Sequence, residues 1–200
     1  MRYLFLILFT VSLNAQILPS QQATHYKKNS VSSDPWDSWD SSTKASCITL
    51  SNSNLTSLES NCTSSWNNVY GSTGVSSGIK EWEITIDAWD DTGSNVYDVM
   101  IGVSKLRTQN PSSAVGNGSY CYILQNGQKF IMTSSYSASN YGASYGEGDV
   151  IKISLNMDTN QITFYKNGVS QGVAFTVSNG TYYLVASYVK NTNTQITITG

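Results

Sequence analysis

Two hundred residues, 40% hydrophobic and only 12% charged, are enough for one domain with a sizeable core and too few for two comfortable ones. A formal net charge of -2 and a pI near 5.2 leave no basic excess to neutralise phosphates, so nucleic acid is excluded as an expected partner.

The chain opens with MRYLFLILFTVSLNA, in which Arg2 precedes an apolar run from Leu4 to Leu13 and small Ala15 precedes Gln16. That is the layout of a secretory signal peptide, which assigns residues 1–15 to a cleaved segment and the protein to a secreted, extracellular or otherwise exported location. The run falls short of the roughly 20 apolar residues that cross a bilayer as a helix, so no stable membrane anchor is expected after cleavage. Residues 16–38 are polar, lack apolar periodicity and read as a linker or docked tail. Asp34, Asp37 and Asp40 are interleaved there with Trp36 and Trp39, and both tryptophans are expected to dock this segment onto the domain that follows, residues 39–200.

From Cys47 onward, short runs rich in Ile, Val, Thr, Tyr and Trp alternate with clusters of Gly, Asn and Ser. The pattern predicts strands over Ser46–Leu50, Leu55–Glu59, Lys80–Ala88, Tyr97–Ser104, Tyr120–Leu124, Lys129–Thr133, Val150–Asn156, Gln161–Lys166, Val169–Phe175, Tyr182–Tyr188 and Thr194–Thr199. In Lys80–Ala88, Trp82, Ile84 and Ile86 share one face while Glu81, Glu83, Thr85 and Asp87 share the other, as in a half-buried strand. Asn126-Gly127 and Asn167-Gly168 stand between strands where a tight hairpin needs positive φ. Many short strands without crossover helices argue for an all-β fold, two antiparallel sheets packed face to face.

The three cysteines are Cys47, Cys62 and Cys121, an odd number, so one stays free or pairs between chains. Cys47 and Cys62 flank a predicted hairpin and are the preferred disulfide, although a turn centred on Asn52-Ser53 would set Cys47 opposite Leu58 instead.

Catalytic chemistry finds little support. The only histidine, His25, lies in the tail, away from any nucleophile of the domain, and three scattered cysteines without close pairing make no zinc site. Glu81, Glu83 and Asp87 on one strand face suit a glycosidase pair by spacing alone, but no second carboxylate cluster accompanies them. The loop from Asp87 to Asn95 offers oxygen ligands yet lacks the glycine and terminal glutamate of an EF-hand, and reads as a solvated acidic turn. No catalytic residue, metal or cofactor is assigned.

Several segments, taken in order, resemble the SPRY domain family. They are SSGIKEWEITID from Ser76, MIGVSK from Met100, YCYILQNGQKF from Tyr120, GEGDVIKISLNMD from Gly146, ITFYKNGVSQGVAF from Ile162 and YYLVASY from Tyr182. The resemblance covers roughly Cys47 to Gly200, with departures at Ile79 and Lys152. It implies a bent, two-sheet antiparallel β-sandwich of the concanavalin A-like kind, with Trp82 in the core, Gly148 and Asp149 shaping a strand entry and Asn167-Gly168 making a turn. It also implies a non-enzymatic module that binds a protein or peptide through its strand-connecting loops.

Composition points the same way. The segment Ser134–Gly148 is rich in Tyr, Ser, Asn and Gly, which supply stiff amphipathic contacts among adaptable hydrogen-bonding groups. Tyr136 and Tyr141 are therefore expected ligand-binding residues, sharing a rim with Trp66, Asp91, Asn95, Arg107 and Lys190 from other connections. The same aromatic and amide groups also suit a glycan, so a lectin-like module is one alternative, and a surface or particle component packing against its own copies is another.

Overall fold

The computed structural model describes residues 37–63, 66–90, 99–107, 118–123, 126–133, 135–189 and 193–200. The expected signal segment and most of the tail, with Asp34 and Trp36, lie outside the described residues. The described chain forms two seven-stranded sheets in which every pairing is antiparallel. Strands are numbered in chain order. The first sheet runs β1 (Trp39–Lys44), β4 (Trp66–Val75), β13 (Tyr182–Val189), β6 (Val99–Ser104), β7 (Ser119–Ile123), β8 (Gln128–Met132) and β9 (Tyr136–Asn140). The second runs β12 (Val169–Thr176), β11 (Gln161–Lys166), β10 (Val150–Asn156), β5 (Ile79–Ala88), β14 (Gln195–Ile198), β3 (Thr56–Glu59) and β2 (Ile48–Ser51).

The core lies between the sheets because each contributes a face written as alternation. From the second sheet come Trp82, Ile84 and Ile86 of β5, Ile151, Ile153 and Leu155 of β10, Ile162 and Phe164 of β11, and Ile196 and Ile198 of β14. They meet Val99, Ile101 and Val103 of β6, Tyr120 and Tyr122 of β7, and Tyr182, Leu184, Ala186 and Tyr188 of β13. The first sheet is also apolar on its far face, where Tyr70, Met100, Cys121, Phe130, Met132 and Val185 form a separate buried cluster that Trp66 and Ala138 join. Gly102 belongs to that sheet: a Cβ there would meet the backbone of Tyr120 and Cys121 on the adjacent strand, so only glycine lets β6 and β7 lie together.

Three strands escape the sequence pattern. β1, β4 and β9 read WDSSTK, WNNVYGSTGV and YSASN, polar runs with no sustained apolar alternation. β4 is nevertheless buried over Asn67–Gly71, because it is held between β1 and β13. β9 lies inside the segment expected to be a recognition loop. The hairpin of β11 and β12 turns through Asn167 and Gly168, with φ of 49° and 79°, as its Asn-Gly pair predicts. The β7–β8 hairpin differs: Tyr122 faces Lys129, a register that a two-residue Asn126-Gly127 turn would not give.

The N-terminal residues are not peripheral. Trp39 is fully buried in the inter-sheet core, and Asp37, read as part of a tail, is buried beneath β5. The Trp82 indole N–H donates to Asp37 Oδ2, and Lys80 Nζ lies 3.4 Å from the same oxygen, with both ion-pair side chains at most 6% exposed. Cys47 and Cys62 form a disulfide with a Cα–Cα distance of 5.3 Å. The register that permits it differs from one built on a turn at Asn52-Ser53. Ser51 faces Thr56 and Ile48 faces Glu59, because Asn52, Ser53 and Asn54 all adopt positive φ in a longer turn.

Two stability measurements follow. Asp37→Ala leaves Lys80 buried without its counter-charge, and urea unfolding is expected to show a loss of about 3–5 kcal/mol. Reducing the disulfide, whose cysteines are 15 residues apart, is expected to cost about 3 kcal/mol in the same assay.

Candidate binding surface

The registers place the described site residues relative to one another. Ser104 faces Ser119, Ser119 faces Met132 and Met132 faces Tyr136, so these residues mark one end of the first sheet. Leu106 and Arg107 follow Ser104 at that end. Trp66 faces Val189 at the opposite end, five strand spacings from β9, or roughly 24 Å across the sheet. Arg107 and Tyr136 thus come to the same end of the sheet, and Trp66 does not join them. Asp91, Asn95 and Lys190 lie outside the described residues.

Arg107 is already engaged. Its guanidinium pairs with the Asp40 carboxylate, donates to Thr43 Oγ1 at 2.8 Å and sits 4.6 Å from the centre of the Tyr183 ring. These contacts tie the chain after β6 to edge strand β1, so its guanidinium serves the fold. Its neighbour Leu106 points outward at 49% exposure, held by Ser104, whose hydroxyl donates to Leu106 O (2.7 Å) and accepts from Leu106 N (3.2 Å).

The tyrosines of Ser134–Gly148 divide by environment. Tyr141 lies with its ring against Tyr122 and Phe164; its hydroxyl donates to Gly172 O at 2.5 Å and accepts from Phe164 N at 3.3 Å. Tyr145 is buried, donating to Tyr122 O at 2.9 Å, and burial raises its hydroxyl pKa well above the ordinary value. Tyr122, whose hydroxyl donates to Ala143 O, is pushed up to about 12 by burial, with Tyr141 and Asp149 adding to the effect. Ala143 N donates to Gln171 Oε1 at 2.9 Å. The stretch after β9 is therefore bonded down onto the sandwich, and Tyr141, expected as a ligand contact, spends its ring and hydroxyl on contacts within the fold.

Tyr136 is the exception, at 69% exposure. Its ring lies parallel to that of Phe130, with centroids 6.2 Å apart and planes 9° apart, beside Met132 directly across the ladder. The ring is therefore exposed yet supported from behind by the far-face cluster.

Asp149 organises the strand entry that its motif implied. Burial raises its pKa, but bonds from Asn167, Lys166 and the Gly146 amide outweigh that and hold it below the usual carboxylate range. Of the three carboxylates weighed for a glycosidase pair, two are otherwise occupied: Glu81 lies 3.4 Å from Lys152 Nζ, and Asp87 Oδ2 accepts from Thr197 Oγ1 at 2.5 Å, while Glu83 is exposed. Among the described residues no group of three or more His, Cys, Asp and Glu comes together.

The family model for the SPRY domain matches residues 80–200, from the start of the central β5 to the end of the chain. Among solved structures, the chain is similar to the SPRY domain of human HERC1, at 21% identity and a TM-score of 0.64, over 80% of this chain and 96% of that one. It is also similar to the TRIM65 PSpry domain, at 14% identity and a TM-score of 0.60 over 82% and 92% of the two chains. A human SPRY domain matches at 14% identity and a TM-score of 0.61, over 76% and 94%.

The far face makes its own chemical prediction through Cys121, the free and fully buried cysteine, whose thiol pKa burial pushes up. Native protein at pH 8 is expected to resist alkylation at Cys121 and to be labelled promptly in urea, as read by mass spectrometry. Rapid labelling of the native protein would show that this face opens readily.

Proposed function

Because the chain belongs to the SPRY domain family, whose members generally mediate protein–protein interactions and are binding modules rather than enzymes, we propose that it holds a protein or peptide ligand at the Tyr136 end of its first sheet. The observation that carries this reading is the Tyr136 ring, exposed at 69% and braced on Phe130. A large aromatic with few rotatable bonds loses little entropy on binding, and bracing removes part of even that loss. Such residues dominate interface energetics when a partner excludes water around them. Leu106, exposed at the same end of the sheet, offers a second apolar contact. Arg107 contributes by holding the chain beneath Leu106, through Asp40 and Thr43, rather than by reaching for the ligand.

The mechanism is docking onto a stiff scaffold. The connection after β9 is bonded to β12 through Tyr141 and Gln171 and needs little ordering when a partner arrives. The reading also places the protein in an exported compartment. The signal-like start of the chain and the Cys47–Cys62 disulfide support that location, since disulfides persist mainly outside the reducing cytosol.

Affinity capture from extracellular material tests the site with two variants of opposite expectation. Tyr136→Ala is expected to keep native stability and to weaken retention of the captured protein by about tenfold or more. Tyr141→Ala is expected to keep affinity and to lose about 1–3 kcal/mol of stability, because its two hydrogen bonds and its ring contacts go. Undiminished retention by Tyr136→Ala would remove this surface from consideration.

A further inference from the structure

Each sheet has two edge strands, and three of these four carry a device that blocks further pairing. On β12, Gly172 O takes the Tyr141 hydroxyl (2.5 Å), Ala174 O takes Lys129 Nζ (2.7 Å), and register shifts interrupt its pairing with β11. On β2, Ile48 O takes Lys44 Nζ at 2.6 Å. β1 carries the charges of Asp40 and Lys44, and its register slips between Trp39 and Lys44.

Among the described residues β9 has none of these. Tyr136–Asn140 contains no charge and no proline, and it pairs with β8 in unbroken register from Met132↔Tyr136 to Gln128↔Asn140. Tyr136, Ser137, Ser139 and Asn140 are all exposed. Thr133 N donates to Ser135 O, while Ser137 and Ser139 face Ile131 and Lys129 further along. Since the backbone groups of a strand alternate between its two sides, those of Ser137 and Ser139 point at β8, and those of Tyr136, Ala138 and Asn140 point away from the sheet.

We propose that β9 pairs antiparallel with β9 of a second copy, about a twofold axis through Ala138, joining the two first sheets into one. The register suits this partner at every position. Ala138 faces its own counterpart, and Tyr136 faces Asn140 of the other copy, so every outward N–H and C=O named above meets a complementary group. Ser137 faces Ser139 on the opposite side of the sheet, a favourable hydroxyl pair. Each Tyr136 ring lies diagonal to the other copy's Ala138, whose small side chain leaves room for it. A charged strand paired with itself in this way would set like charges near one another, and β9 has none. The paired segment is short, so the interface lies at the low end of the size range of specific complexes, and a Kd above about 1 μM is expected.

Sedimentation of the purified protein from about 1 μM to about 1 mM, with Ser137 and Ser139 substituted, tests the axis itself. The native chain is expected to show concentration-dependent dimerisation. S137K/S139K sets lysine opposite lysine and is expected to weaken it about tenfold, whereas S137K/S139E sets lysine opposite glutamate and is expected to restore it. In amide exchange the Ala138 and Asn140 amides gain protection with concentration, and those of Ser137 and Ser139, already bonded to β8, change little. A monomer throughout, a dimer indifferent to both charge patterns, or Ala138 exchange that does not respond to concentration would each overturn the proposal. Neither serine substitution alters Tyr136, so loss of self-pairing and loss of ligand retention are read separately.

Discussion

A buried carboxylate connects the N-terminal end of the first sheet to the middle of the second. Asp37 accepts from the indole of Trp82 and neutralises Lys80, two side chains that β5 directs to the same face. Burial of a charge is tolerable only with a partner and good hydrogen bonds, so once β5 takes its place at the centre of its sheet, Asp37 is required beneath it. Trp39, two residues on, fills the inter-sheet core and starts β1, which gives β4 its second neighbour. The segment that reads as the end of a linker is thus the clasp on which the first sheet closes.

That sheet is apolar on both faces, which explains why so many tyrosines are consumed by structure. Tyr120, Tyr122, Tyr182 and Tyr188 face the second sheet and Tyr70 faces away from it. Each buried hydroxyl needs a partner: Tyr188 meets Ser57 Oγ at 2.6 Å, Tyr182 donates to Ser178 O at 2.9 Å, and Asn68 Nδ2 donates to the Tyr70 hydroxyl at 3.1 Å. Tyr141 belongs with this group, because its bond to Gly172 O covers the edge of β12. Only where the first sheet ends, at β9, does the supply of facing strands run out, and Tyr136 is left with Phe130 behind it and solvent in front.

The functional reading therefore moves from a loop to a sheet edge. A recognition loop would adapt to its ligand at an entropic cost, whereas the end of β9 and the stretch behind it are held in place before any partner arrives. Arg107, the one charged residue expected on the rim that lies among the described residues, secures β1, and Lys129 covers Ala174 O while lying 5.4 Å from the Phe175 ring. What faces outward at the Tyr136 end is a neutral strand, one braced aromatic and Leu106.

The sequence by itself determined the all-β class, the SPRY resemblance and the strands whose side chains alternate in isolation, as β5, β10, β11 and β14 show. It also determined the Asn167-Gly168 turn, since positive φ at both positions is a local requirement. The tertiary structure decided β1, β4 and β9, whose polar residues carry no alternation and become strands only because a neighbouring strand satisfies their backbones. It decided the Cys47–Cys62 pairing through left-handed turn residues that shift the hairpin register. It also decided which tyrosine is left exposed, because composition does not distinguish Tyr136 from Tyr141. Exposure is a property of what lies across the sheet, and that is set by strands far away in the chain.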